Sequence, residues 1–225
     1  MTAVTVYVPC DAAALSVGAE EVATAISAEC AARGIELKLI RNGSRGACWL
    51  EPLVEVATAK GRVAYGPVSA ADVPSLFAAD FLNGKGHQLF LGRTDEIPWF
   101  ASQQRLTFAR VGIVDPGSVA DYVANGGYQG LRRALSMTPQ AIVQSVLDSG
   151  LRGRGGAAFP TGIKWKTVLE QVVEQKYVTC NADEGDSGTF SDRMLMEGDP
   201  LCLIEGMTIA GIAVGATQGY IYLRA

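Results

Sequence analysis

This 225-residue chain is poor in the residue types that build most metal and acid–base centres. It has a single histidine, His87, which excludes a His-rich metal site and any site needing two imidazoles. Its five cysteines (Cys10, Cys30, Cys48, Cys180, Cys202) are odd in number and widely spaced, and no C-x-x-C pair occurs. Without a secretion signal, this argues against a disulfide framework. Positive charge is also scarce. Nineteen Lys and Arg against 23 Asp and Glu leave a net charge of −4, so the basic field that duplex binding needs is missing and nucleic acid is not an expected partner. The first residues, MTAVTVYVPCD, lack the basic start and long apolar core of a signal peptide. The most apolar later stretch, 201–217, contains Glu205 and several small residues and reads as a buried helix rather than a membrane span. No membrane partner is expected, and the predicted location is cytoplasmic.

What is present is an ordinary globular composition, 48% hydrophobic and 19% charged. Over 1–85 the pattern is that of one α/β unit. VTVYVP (4–9) is a strand; 17–34 places Val22, Ala23, Ile26 and Cys30 at helical spacing with Gly34 as the stop. ELKLI (36–40) is a strand, and 53–65 reads as two strands turning near Lys60–Gly61. Residues 69–82 predict a helix capped by Ser69, with Asp72 closing a capping box. The order β-α-β-β-β-α predicts a thioredoxin-like layer. Residues 86–136 read as a less regular connector, with a short helix started by Ser118 and stopped at Gly126–Gly127. From 137 the pattern strengthens. Thr138, Pro139 and the face Ile142, Val143, Val146, Leu147 predict a helix that Gly150 ends.

The stretch that follows, SGLRGRGGAAFPTGIKW (149–165), holds five glycines in seventeen positions. GRGGAA fits the G-x-G-x-x-G/A pattern of dinucleotide loops, but that fingerprint needs a preceding strand, and here a helix precedes it. Successive glycine N–H groups can still form an anion nest, and a further helix over about 162–175 would turn its positive dipole end toward it. KYVTC (176–180) is a buried-looking strand running into NADEGDSGTFSDR (181–193), which carries Asp183, Glu184, Asp186 and Asp192. Pro200 opens another helix, and GYIYLRA (219–225) opens a strand that is not completed, so a longer protein is expected. Such an Asn/Asp/Glu loop can bond sugar hydroxyls and flavin nitrogens, Arg154 or Lys164 can meet phosphate, and Phe159 offers a stacking face. These residues alone leave two readings open. One is a flavin or nicotinamide nucleotide site; the other is a glycine-rich turn for helix packing beside a solvated acidic loop.

GLRGRGGAAFPTGIKW and CNADEGDSGTFSDR, about fifteen residues apart, resemble the flavin-binding core of the 51-kDa-type, NADH-oxidising flavoprotein family. That family includes complex I subunits and the diaphorase subunits of NAD-reducing hydrogenases and formate dehydrogenases. The resemblance runs from about Tyr122 to Ala225. NADEGDSGTF with a thioredoxin-like N-terminal domain is most similar to the beta subunit of soluble, molybdenum-containing, NAD-dependent formate dehydrogenase.

The resemblance implies FMN and NAD(H) on an unusual Rossmann-like fold of which 137–225 is the N-terminal part. By position, Gly153, Arg154, Gly155, Gly156 and Lys164 line the FMN, and Asn181 and Asp183 hold its ribityl chain and ring edge. Phe159 stacks on adenine, and Glu184 lies near flavin and nicotinamide. Asp186 stands where relatives have Glu and is a shorter contact to NAD(H); Thr167 stands where relatives have a second stacking aromatic. The implied activity is hydride transfer between flavin N5 and nicotinamide C4, single electrons passing through iron–sulfur clusters, with no acid or base required in the hydride step. The implied partners are a molybdenum-containing formate dehydrogenase alpha subunit and a small 2Fe–2S, 24-kDa-type gamma subunit. The equivalent hydrogenase or complex I subunit is the alternative, and a non-catalytic docking module is an alternative of another class. A 4Fe–4S cluster is expected only beyond Ala225. A thioredoxin-like 2Fe–2S domain needs four thiolates. Here Cys10 and Cys48 remain while Leu15 and Ser44 stand at the other two places, which predicts a domain without a cluster. Cys30, Cys180 and Cys202 are expected to be buried apolar residues.

Overall fold

The computed structural model describes residues 3–186 and 188–224. The chain forms two compact α/β units, Met1–Asp121 with Met194–Asp199, and Tyr122–Arg193 with Pro200–Ala225.

In the first unit, β1 (Val4–Tyr7) leads through α1 (Ala12–Leu15) and α2 (Ala19–Ala32) to β2 (Leu37–Ile40). The hairpin β3 (Val54–Thr58) and β4 (Gly61–Tyr65), then α3 (Val73–Ala78), β5 (Phe90–Arg93) and α4 (Pro98–Ala101), complete it. The sheet order is β2-β1-β3-β4-β5. β1 and β2 are parallel and the other neighbours antiparallel, the thioredoxin-like order extended by β5. One face packs Val6, Val54, Val56 and Tyr65 against Val22, Ala23, Ile26 and Cys30 of α2 and Leu76 and Phe77 of α3. The helical spacing of 17–34 thus has its apolar stripe on the core, with Gly34 at φ +64 after the C-cap.

Two expectations need correction. Residues 69–82 are not one helix. Ser69 and Asp72 do form the capping box, but Pro74 has no N–H to give the carbonyl of Ala70. A 3-10 turn (Ala70–Asp72) therefore precedes α3, and Asp80 at φ +59 breaks the chain before a second 3-10 turn, Phe81–Asn83. The strand β5 lies in the stretch read as irregular. Gly92 at φ +87 and a register shift at Ala64/Tyr65 interrupt the alternation that would have marked it.

Most buried charged groups in this unit are paired internally, while Asn42 Oδ1 and Thr94 Oγ1 are buried without a described partner. Glu55, 1% exposed, pairs with Arg45 at 2.9 Å and Arg62 at 3.1 Å, and Arg62 also lies over the Tyr7 ring. Arg110 pairs with Asp199 at 2.9 Å, and Ala12 N–H donates to Glu197 at 2.7 Å. Gly43 and Gly198 meet so closely that a Cβ on the first would stand 2.7 Å from the Cα of the second.

The second unit begins in the course of α5 (Val119–Ala124). It continues with α6 (Gln129–Ala134), α7 (Pro139–Asp148), α8 (Thr161–Leu169), β6 (Tyr177–Ala182), the first turn of α9 (Ser191–Gly198, whose residues from Met194 on belong to the first unit), α10 (Pro200–Val214) and β7 (Gln218–Leu223). β6 and β7 pair in parallel from Tyr177↔Gln218 to Ala182↔Leu223, a two-stranded Rossmann-like sheet whose connection carries α10. Thr138 caps α7 by accepting from Ala141 N–H, and Ile142 and Val143 are buried against Ala213 and Val214 of α10. Glu205 is buried in α10, where its carboxylate accepts from Tyr122 Oη (2.5 Å), Tyr128 N (2.7 Å) and Leu131 N (2.9 Å). α8 stops at Leu169, short of the predicted 175, and Val172 beyond it is fully exposed. Nor is β6 buried on both faces: Tyr177 is 53% exposed, and β7 is exposed along its length.

Candidate functional site

The glycine stretch is a closed loop between α7 and α8. Arg152 and Pro160 form an antiparallel bridge, Gly153 N donates to Phe159 O, and Thr161 N donates to Leu151 O, both at 2.9 Å. Arg152 adds a guanidinium bond to Ala158 O at 3.1 Å. These bonds tie the neck and leave Arg154, Gly155, Gly156 and Ala157 as an exposed tip. The N–H groups of those four residues donate to no described residue. Gly156 sits at φ +95, where a side chain would be strained, and a Cβ at Gly155 or Gly156 would meet no protein atom within 4 Å. Arg154 and Lys164 are exposed and form no ion pair with a described residue. Open N–H donors, room at two glycines and two unengaged cations fit a phosphate. Phe159, half exposed, stands at the neck. Gly162 does a different job: a Cβ there would lie 2.7 Å from Leu147, so this glycine lets α8 approach α7.

The acidic loop leaves the C-terminal end of β6, the end at which parallel sheets bind ligands. Asn181 Oδ1 accepts from Asp183 N at 3.1 Å, and Asp183 lies 3.7 Å from Arg224, just past β7. Glu184, at φ +43, turns its carboxylate onto the start of α9 and accepts from Asp192 N and Arg193 N, both at 2.9 Å. Asp186 is exposed, its carbonyl accepting from Thr189 N. Ser187, within the same motif, lies outside the described residues. Burial, and then the charge of Glu184, holds the Asp192 carboxyl above the usual carboxylate range. Phe190 is half exposed at φ +53.

The sequence-predicted residues thus fall into two clusters of one unit, the glycine tip with Phe159 and Lys164, and the β6 end with Asn181, Asp183, Glu184 and Asp186. No hydrogen bond among the described residues joins them. Thr167 is on α8, its hydroxyl spent on Ile163 O. Arg224 and the capping by Glu184 had no sequence signal, since both depend on which chain segments meet. A cleft of about 570 Å³ between α10 and the strands is lined by Val178, Ile204, Met207, Ile212 and Ile221. Its lining is mainly apolar, with Thr208, Thr217 and Gln218 among it, and none of the predicted FMN or NAD(H) residues lines it.

In the first unit Cys10 is half buried and donates to Arg41 O; burial holds its thiol above the usual range. Cys48 is exposed. The carboxylate of Asp11 accepts from Ala14 N and Ser44 N, tying the loop after β1 to the loop of Ser44. Cys180 and Cys202 are half buried rather than buried, because the sheet and helix that carry them are covered on one side only; Cys30 is buried as expected. His87 is engaged by Ser75 Oγ and Leu89 N. Among the described residues no three His, Cys, Asp or Glu side chains converge on a metal position. None of the described helices is long and apolar enough to cross a membrane.

Residues 146–225, which include both clusters, match the Nuo51 FMN-binding domain. The chain is 53% identical over 123 residues to the NADP-reducing hydrogenase subunit HndC of Solidesulfovibrio fructosivorans, covering 55% of this chain and 25% of HndC. It is 50% identical over 115 residues to an NADH-quinone oxidoreductase subunit of Rhizobium meliloti, covering 51% and 27%. It is 48% identical over 94 residues to the alpha subunit of the NAD-reducing hydrogenase HoxS of Cupriavidus necator, covering 42% and 16%. The chain therefore spans about a quarter or less of these relatives' length.

Proposed function

We propose that this chain is part of a diaphorase-type flavoprotein subunit that exchanges electrons between NAD(H) and the iron–sulfur clusters of a larger, cytoplasmic oxidoreductase. The observation that carries this is the set of unengaged N–H groups at 154–157 inside the segment that matches the FMN-binding domain. Bound FMN supplies hydride exchange with nicotinamide. The chain's own residues bind and orient. The tip N–H groups, Arg154 and Lys164 hold phosphate, and the glycines Gly153, Gly155 and Gly156 keep side chains out of its way. Asn181 and Asp183 hold the ribityl chain and ring edge, Phe159 stacks on adenine, and Glu184 and Asp186 stand on the nicotinamide-nucleotide side. Alignment of the two rings is the main catalytic contribution, since no side chain needs to move a proton in the hydride step.

Among finer readings, the equivalent component of an NAD-reducing hydrogenase or of complex I is favoured, because the relatives above carry those names. The formate dehydrogenase beta subunit, with its molybdenum-containing alpha and 2Fe–2S gamma partners, rests on NADEGDSGTF occurring in one chain with a thioredoxin-like sheet. Nickel or molybdenum copurifying with the full-length complex separates hydrogenase from formate dehydrogenase; quinone-linked membrane subunits would mark complex I. The test of the shared reading is the visible flavin spectrum of the full-length protein and its anaerobic bleaching by NADH. A full-length protein without stoichiometric FMN overturns it.

A further inference from the structure

We infer that Glu184 is the positioning residue of the acidic loop, holding it by capping α9. The inference rests on the FMN/NAD(H) reading above. The first N–H groups of a helix have no intrahelical partner, and a carboxylate there gains charge-assisted bonds and a favourable dipole. Both Glu184 oxygens are spent this way, Oε1 on Asp192 N and Oε2 on Arg193 N. Its φ of +43 is a conformation in which glutamate is rare, and the two bonds offset that strain. The preceding residue is pinned from the other flank. Asp183 N donates to Asn181, its carboxylate faces Arg224, and a Cβ at Gly185 would stand 2.8 Å from that guanidinium. The loop that presents Asn181 and Asp183 is thus held by the two Glu184 bonds to α9, with Arg224 adding only a loose, exposed ion pair to Asp183. On this view Glu184 acts on nucleotide binding through loop position, with its charge committed to α9.

The experiment uses the full-length flavoprotein with Glu184→Ala, Glu184→Gln and Glu184→Asp. Flavin content of the unaltered protein comes first; its absence sinks the functional reading whatever Glu184 does. Glu184→Ala should weaken FMN binding about tenfold through Asn181 and Asp183 and, with FMN saturating, raise KM for NADH through Asp186 on the same loop with kcat within about twofold, the split expected when uniform binding is lost. Hydrogen exchange at Asp192 and Arg193 N–H should quicken about tenfold or more in that variant, as for a lost capping bond. Glu184→Gln keeps one of the two acceptor oxygens and loses the charge, so it should recover part of both losses, with one of the two N–H groups still exchanging faster. Glu184→Asp keeps the charge but loses the reach, and should behave like Ala. The flavin midpoint potential should not move in any of them. The inference is overturned if Asp behaves like the unaltered protein while Gln fails and the potential shifts, which would place the charge itself at the flavin. Unchanged exchange in Glu184→Ala also overturns it. Should the Ala variant not fold, Gln and Asp alone decide between these outcomes.

Discussion

The two units handle polar groups in opposite ways. The first spends them on itself. Glu55 takes two arginines, Asp11 takes two backbone N–H groups, and Arg110 takes Asp199. The second leaves them open where it matters, with four consecutive N–H groups at 154–157 without a described partner and two cations without an ion pair. Unsatisfied donors cost least when they are exposed, and such donors are what an anion can use. The contrast teaches that charge alone does not mark a site. Both units carry exposed cations without a described ion pair, Lys60 and Lys85 in the first and Arg154 and Lys164 in the second, but Arg154 sits on a loop tip whose own N–H groups are open.

The largest expected effect would break the first half of that comparison. Glu55→Leu leaves Arg45 and Arg62 beside an apolar side chain and should lower the stability of the first unit by about 3–5 kcal/mol, read by urea unfolding. Flavin content of the full-length protein should hold under folding conditions; a matching loss of FMN would show the two units are not separable in function.

Next in size is a pH effect of Glu51. Burial pushes its carboxyl up to about 7, against the lowering bond from Leu53 N–H. The folded state therefore holds a proton that the unfolded chain releases near 4.5. Stability from this group is full below the unfolded value and falls as pH rises through the window up to about 7, by on the order of 3 kcal/mol. Glu51→Gln keeps an acceptor for Leu53 and should flatten this decline between pH 5 and pH 8. An unaltered pH slope in the variant would assign the decline elsewhere.

Arg154→Ala sharpens the second half. Loss of one charged phosphate contact, about 1.5–3 kcal/mol, should weaken FMN binding about ten- to a hundredfold while leaving the unfolding midpoint in place. Equal FMN affinity in the variant would remove the tip from the site. The smallest effect is expected at Cys10 and Cys48. Replacing both with Ser should leave total iron per full-length chain unchanged, since Asp11 and the Ser44 loop hold that corner without a metal. A loss of about two irons, one 2Fe–2S cluster, would show a cluster there.

How much was legible in the sequence follows from how far apart the interacting residues lie. The caps of α7 and the stop of α2 are written within a few residues and were readable, as was the turn at Lys60–Gly61. β5 was not, because Gly92 breaks its alternation and its pairing partner lies some thirty residues away, at Val63 and Ala64. The same distinction runs through the site. Sequence alone placed a glycine loop after a helix, an acidic loop after a strand, and a family resemblance that the FMN-domain match bears out. Local backbone preferences and motif spacing suffice for that. Tertiary structure alone decided that the tip's donors stay open, that Arg224 meets Asp183, and that Glu184 faces α9. Those depend on where distant segments pack, which no local propensity encodes.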